Sequence, residues 1–264
     1  MMRLYFEVCK LTFRLQLTYR TATIASLITA LFFGLLRAYV LLALFGTQDA
    51  VAGISIAGAI TYSGLVQGLI AYLSIFGWND LMNTVDSGEI STDLLRPTAF
   101  FNYWLAKDFG QSMAQLLMYA IPIMVIYAFL FDTVMPASFL QWLAFIISLL
   151  LSWLVIFSWH FLVNLAAFWT PNARGVSIFV YGFVSVLSGF AMPLRFYPDW
   201  FIQLAELTPF PMMLNVCVEI YLGIIPDQDL VWLIGQQVMW AFILILIGQI
   251  VLQVGLRRLV IQGG

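Results

Sequence analysis

The sequence predicts an all-α polytopic membrane protein with six transmembrane helices. Only 9% of its 264 residues are Asp, Glu, Lys or Arg, against 63% apolar, and those charges sit in a few short zones. Between the zones lie apolar runs close to the roughly 20 residues that a helix needs to cross a bilayer. The mean hydropathy of +0.98 agrees. A charge at a helix centre costs roughly 2.5–3.5 kcal/mol on insertion, which accounts for the segregation. The loops leave no room for a separate soluble domain, so residues 1–264 read as one membrane domain.

Residues 3–20 come first, as an amphipathic elbow helix along the membrane surface. Arg3, Glu7, Lys10 and Arg14 stack on one narrow face, beside an apolar stripe of Leu4, Val8, Leu11 and Leu15. Spans one and two follow at 22–45 and 55–77. Span one carries Arg37, and an intramembrane charge is a functional candidate by default. Its place in the outer part of the span equally suits snorkelling toward the outer headgroups. Span two carries Gly64 and Gly68 in a GxxxG spacing that permits close helix approach.

Residues 78–108 form the long cytoplasmic connection. Asp80, Asn83 and Asp86 are polar at helical spacing, Ser87-Gly88 gives a helix stop, and Pro97 forces another break. A short helix, a turn and a second short helix are therefore expected, and a structured connector of this length suits docking of a partner. Spans three and four occupy 109–131 and 140–161. The second of them holds the single histidine, His160, with Asn164 one turn on; a hydrogen bond from His160 to a neighbouring helix is expected. Span five, at 175–194, carries Gly175, Gly182 and Gly189 with Ser185, a stripe that forms either an intersubunit seam or an internal contact. The external segment 195–229 is aromatic but interrupted by Pro198, Pro209, Pro211 and Pro226. It predicts short re-entrant helices that dip into the outer leaflet and return. Span six runs from 230 to 252.

Orientation follows from the basic residues. Arg3, Lys10, Arg14, Arg20, Arg96, Lys107, Arg174, Arg257 and Arg258 all fall on one side if the six helices alternate, and Arg195 alone falls opposite. Both termini are thus expected in the cytoplasm. The apolar run begins too late for a cleavable signal peptide.

Several chemistries are excluded. The two lysines, Lys10 and Lys107, follow Cys9 and Ala106 rather than glycine, so no phosphate-binding P-loop is present. One histidine supports neither a metal cluster nor a catalytic triad. Cys9 and Cys217 are expected on opposite sides of the membrane and lack CxxC partners. A net charge of -2 with no basic cluster gives no nucleic-acid footprint. A membrane-embedded enzyme would have to rely on His160, Asn164 and Arg37, and an autonomous channel or carrier is the other competing class.

Six spans, cytoplasmic ends, a structured first cytoplasmic loop and a proline-broken external segment together resemble a known family. The sharpest matches are Ser87-Gly88-Glu89-Ile90 followed by Leu94-Leu95-Arg96-Pro97, and Ser188-Gly189, Pro193, Pro198-Asp199-Trp200, Pro209 and Tyr221-Leu222-Gly223. They are similar to the permease subunits of ABC-two-type transporters, the exporter-class membrane domains of ATP-binding-cassette systems. No Glu is followed by Ala, unlike the loop of the import permeases. The resemblance implies an inner-membrane transport subunit that is not itself an enzyme and holds no cofactor. ATP and Mg would bind two separate ATPase subunits, and a second permease, identical or related, would complete the pathway. It implies an ATPase-coupling role for Asp86, Gly88, Glu89, Ile90, Leu94, Leu95, Arg96 and Pro97. It also places Arg37, Gly182, Ser185 and Gly189 at the pathway or dimer seam, since spans one, two and five line it in the family. Cargo across the family ranges from drugs to lipids, polysaccharides and peptides.

Overall fold

Helix accounts for nearly all regular structure among the residues that the structure, a computed structural model, describes: 2–170 and 172–257. Arg258, expected at the inner end of span six, lies outside them. Helix α1 (Met2–Thr18) leads into α2 (Arg20–Phe45), a hairpin of β1 (Ala50–Val51) and β2 (Ile54–Ser55), and α3 (Ile56–Tyr72). The short α4 (Asp80–Asp86) and α5 (Ile90–Leu94) precede a long helix made of α6 (Phe100–Gln115), a π turn (Leu116–Ala120) and α7 (Ile121–Leu130). Then come α8 (Phe139–Asn164) and α9 (Ala173–Leu187). The short α10 (Asp199–Glu206), α11 (Phe210–Met213) and α12 (Asn215–Tyr221) lead to the final α13 (Asp227–Leu256).

Four of these helices are long and apolar enough to cross a membrane: Thr21–Phe45, Phe100–Leu130, Phe139–Phe168 and Asp227–Leu256. The other two expected spans are shorter. α3 has 17 residues and α9 has 15, about 26 and 23 Å of helix at 1.5 Å per residue. The expected ranges 55–77 and 175–194 overrun them because the backbone turns: Ser74 (φ 49°) and Gly77 (φ 109°) follow α3, and Gly189 (φ 81°) follows α9. Span three starts earlier than expected, since the helix opens at Phe100 directly after the Pro97 break. The π turn within it precedes Pro122. Proline lacks the amide proton and its ring crowds the carbonyl one turn back, so a wider turn relieves both. The all-α reading omits the small hairpin, whose turn residues Ala52 (φ 48°) and Gly53 (φ 80°) have the positive φ pair of a tight β-turn.

α3 is the centre of the molecule. It is apolar around its whole circumference, with Tyr62, Val66 and Tyr72 fully enclosed, as a helix surrounded by others should be. The GxxxG spacing acts inside the chain. A Cβ on Gly64 would lie 2.7 Å from the Tyr127 ring, and one on Gly68 would lie 3.1 Å from the Ala120 backbone. α3 thereby approaches the π turn and α7 closely. Around the C-terminal end of α3, Trp78, Trp104, Phe101, Phe157 and Phe161 form a mostly edge-to-face aromatic cluster. The outward faces of α2, α9 and α13 stay apolar and exposed, with Phe32, Phe179 and Phe242 examples. A surface of that kind suits lipid rather than water.

α1 lies against α6 through a different face from the expected apolar stripe. Leu4, Leu11 and Leu15 remain exposed, whereas a Cβ on Gly110 of α6 would meet the Cys9 carbonyl oxygen and Thr12 Oγ1, each at 2.2 Å. Backbone cannot yield that distance without separating the helices. Gly110→Leu is therefore expected to release α1, read as faster maleimide labelling of the half-buried Cys9. Unchanged labelling would show that the two helices adjust.

Candidate functional site

The segment between α3 and α6 is an exposed tip on a fixed base. Ser87 and Gly88 form the turn, and Gly88 has φ +76°, with nothing within 4 Å of the place a Cβ would take. Asp86, Gly88, Glu89, Arg96 and Pro97 are exposed, and Leu95 is 86% exposed. Ile90 is buried in the core and the half-buried Leu94 packs on it, so these two seat the turn and do not face outward. Arg96 is engaged within the segment, pairing with Asp93 at 3.1 Å and lying over the Tyr103 ring. Burial pushes the Asp93 carboxyl up, and the neighbouring Arg96 acts against that shift.

The base is clamped by three helices. From α8, Asn164 Oδ1 accepts from the Met82 amide at 3.0 Å, and its Nδ2 donates to the Trp78 carbonyl at 2.6 Å and to the His160 carbonyl at 2.7 Å. From α9, Ser177 donates to Asn79 Oδ1 at 2.7 Å, Tyr181 donates to the Trp78 carbonyl at 3.1 Å, and Arg174 donates to Asn83 Oδ1 at 2.7 Å. From α6, Lys107 pairs with Asp80 at 3.3 Å. Asn79 stands at the N-cap of α4 but its side chain does not cap it. Asn164 instead reaches across to one of the first amides of α4, which lack partners within their own helix. Sequence reasoning named Asn164 as a candidate group of a membrane-embedded enzyme and missed this clamp, whose signal is an amide side chain at the end of an apolar helix.

A second polar group lies toward the other end of α3. Tyr62 donates to the Gly189 carbonyl at 2.5 Å and to Asn215 Oδ1 at 3.2 Å, and Asn215 also accepts from the Leu194 amide. This joins α3, the turn after α9 and α12. Arg37 of α2 lies over the Phe190 ring, 4.3 Å from its centroid. Beyond it, Arg195 and the buried Glu219 of α12 form a two-point ion pair at 2.9 and 3.0 Å. They edge a polar cavity of about 500 Å³ that Glu206 and Asp229 also line. An apolar cleft of about 450 Å³ opens between α3, α7 and α8, beside Met124, Phe129 and Trp142.

The structure divides the glycine stripe of span five. Gly182 is exposed with open space around it, and Ser185 is half-buried and bonded to the Gly182 carbonyl. Gly189 is buried against Tyr62 and Asn215. The stripe is therefore not one surface: Gly189, past the end of the helix, packs inside this chain, and Gly182 does not. His160 also differs from expectation. Its Nε2 is buried without a hydrogen-bond partner, and the ring packs edge-on to Tyr181 at 5.4 Å. Asp108, assigned to the cytoplasmic connection, is buried within α6, where it accepts from Trp153 Nε1 at 2.7 Å and from Ser112. The groups that an enzyme would need do not converge. Asn164 is consumed beyond the C-terminal end of α3, and Arg37 lies beside Tyr62, about 15 Å of helix away from Tyr72.

Residues 23–263 match the family model described as ABC-2 family transporter protein, so the match begins in the first turn of α2 and takes in every described helix after it. No curated protein and no solved structure matches the chain.

Proposed function

Because this chain belongs to the ABC-2 family of transporter proteins, we propose that it is the permease subunit of an ATP-driven exporter in the inner membrane. Two copies, or this chain and a related permease, form the pathway, and two separate ATPase subunits supply ATP hydrolysis with Mg. All six apolar segments span in this reading, α3 and α9 together with the turns that follow them, and both termini are cytoplasmic. α1 is the elbow helix, and α10 to α12 are the re-entrant elements of the outer leaflet.

The observation that carries the proposal is the exposed α4–turn–α5 tip on its clamped base. Force applied at Gly88 reaches α6, α8 and α9 through Lys107, Asn164, Ser177 and Tyr181. A rigid lever of that kind suits coupling of an ATPase to helix movement. The exposed Leu95 supplies an apolar contact and Glu89 a charged one.

Gly88→Val tests it. Space around Gly88 is open, so the substitution acts through backbone conformation alone. A β-branched residue resists positive φ, and the left-handed region costs roughly 1–2 kcal/mol even for ordinary residues. ATPase co-purification is expected to fall severalfold while membrane insertion stays normal. Normal association and export in both Gly88→Val and Glu89→Lys would remove the coupling role.

A further inference from the structure

We infer that Arg37 recognises an anionic oxygen headgroup, the phosphate or carboxylate of an amphiphile that reaches it from the lipid phase. The inference rests on the permease reading and gives its pathway a substrate class. Arg37 lies well inside the apolar α2, one turn beyond Gly34. Its guanidinium rests on the Phe190 ring, and its Nη1 is buried with no hydrogen-bond partner. The ion pairs among the described residues are Arg96–Asp93, Lys107–Asp80 and Arg195–Glu219, so none includes Arg37. The buried Glu219 is already held at two points by Arg195.

Arginine does not shed its proton, so the charge persists. A ring face answers part of it, and the in-plane donors still call for an acceptor. One fully buried hydroxyl nearby is also without a partner: that of Tyr127, whose oxygen would lie 2.5 Å from a Cβ on Gly34. A charged fork beside a phenol suits carboxylate or phosphate, to which guanidinium binds through parallel donors. The apolar part of the ligand has a place as well. Phe33, Val40 and Leu44 stand four residues before and three and seven after Arg37, so they share its helix face, and all three are exposed. A cationic amphiphile would be repelled and a neutral one would leave the fork unanswered.

The test uses the intact chain in nanodiscs of phosphatidylcholine, titrated with dodecyl phosphate and separately with dodecyltrimethylammonium, with bound ligand counted by native mass spectrometry. Saturable binding of dodecyl phosphate is expected, at least tenfold weaker in Arg37→Gln and less weakened in Arg37→Lys, which keeps the charge but loses the fork. The ammonium compound should not compete. A further arm adds phosphatidylglycerol to the bilayer: displacement of dodecyl phosphate assigns the site to ordinary lipid headgroups, and retention assigns it to a cargo amphiphile. Equal affinity of wild type and Arg37→Gln, or equal binding of the phosphate and ammonium compounds by wild type, would overturn the inference. The second comparison stands even if Arg37→Gln fails to fold. No ATPase is needed for either, so failure here leaves the permease reading intact. Failure to isolate an ATPase, with Arg37-dependent binding present, does the reverse.

Discussion

Arg195→Leu is expected to destabilise the protein by about 3–5 kcal/mol, the range for breaking a buried ion pair from one side, and Glu219→Leu by clearly less. The asymmetry follows from burial. Glu219 lies on a fully buried helix with its side chain 8% exposed, whereas Arg195 is 40% exposed at the edge of the polar cavity. Removing Arg195 strands a carboxylate away from water; removing Glu219 leaves a guanidinium that can turn to solvent. Both charges replaced together should restore most of the loss, since an apolar pair of similar volume is often as stable as a buried ion pair. Thermal unfolding of the four proteins in one detergent measures this as a double-mutant cycle. Equal losses in the two single variants, or additive losses in the double, would show that the pair is not a buried unit.

Asn164→Leu is expected to cost about 2–3 kcal/mol and also to weaken ATPase association, although Asn164 is fully buried. The cost is that of a buried donor left unmade together with a lost helix cap. The Met82 amide would have no partner, and the Trp78 carbonyl would keep only Tyr181. Ser177→Ala, which leaves Asn79 Oδ1 only the weak bond from Tyr181 at 3.4 Å and spares the amides of α4, should be milder. The two effects are separable. If Asn164→Leu lowers thermal stability yet holds the ATPase as firmly as wild type does, the clamped base plays no part in coupling.

The parts of the fold legible in the sequence are those that the bilayer imposes one segment at a time. Hydropathy and length locate the apolar helices because hydrocarbon solvates neither charges nor unpaired backbone. Ser87-Gly88 marks the exposed turn because glycine alone takes its positive φ without strain. Pro97 marks the break before the next helix because its ring fixes φ and removes an amide donor. Helix ends were less legible. Ser74 adopts positive φ against its preference, and the Asp108 carboxylate enters the core because Trp153 waits there with a donor.

Sequence by itself therefore determined an all-helical membrane chain, its apolar segments and the site of its exposed turn. Tertiary structure alone decided which polar side chains have partners. Arg37 and Arg195 are the same residue, yet Glu219 meets only Arg195. Gly64 and Gly68 press against α7 and the π turn, while Gly182 faces outward. Asn164 caps a helix 82 positions away. Each of these outcomes depends on which segments become neighbours, and hydrogen bonds and charges act over a few ångströms of space rather than along the chain.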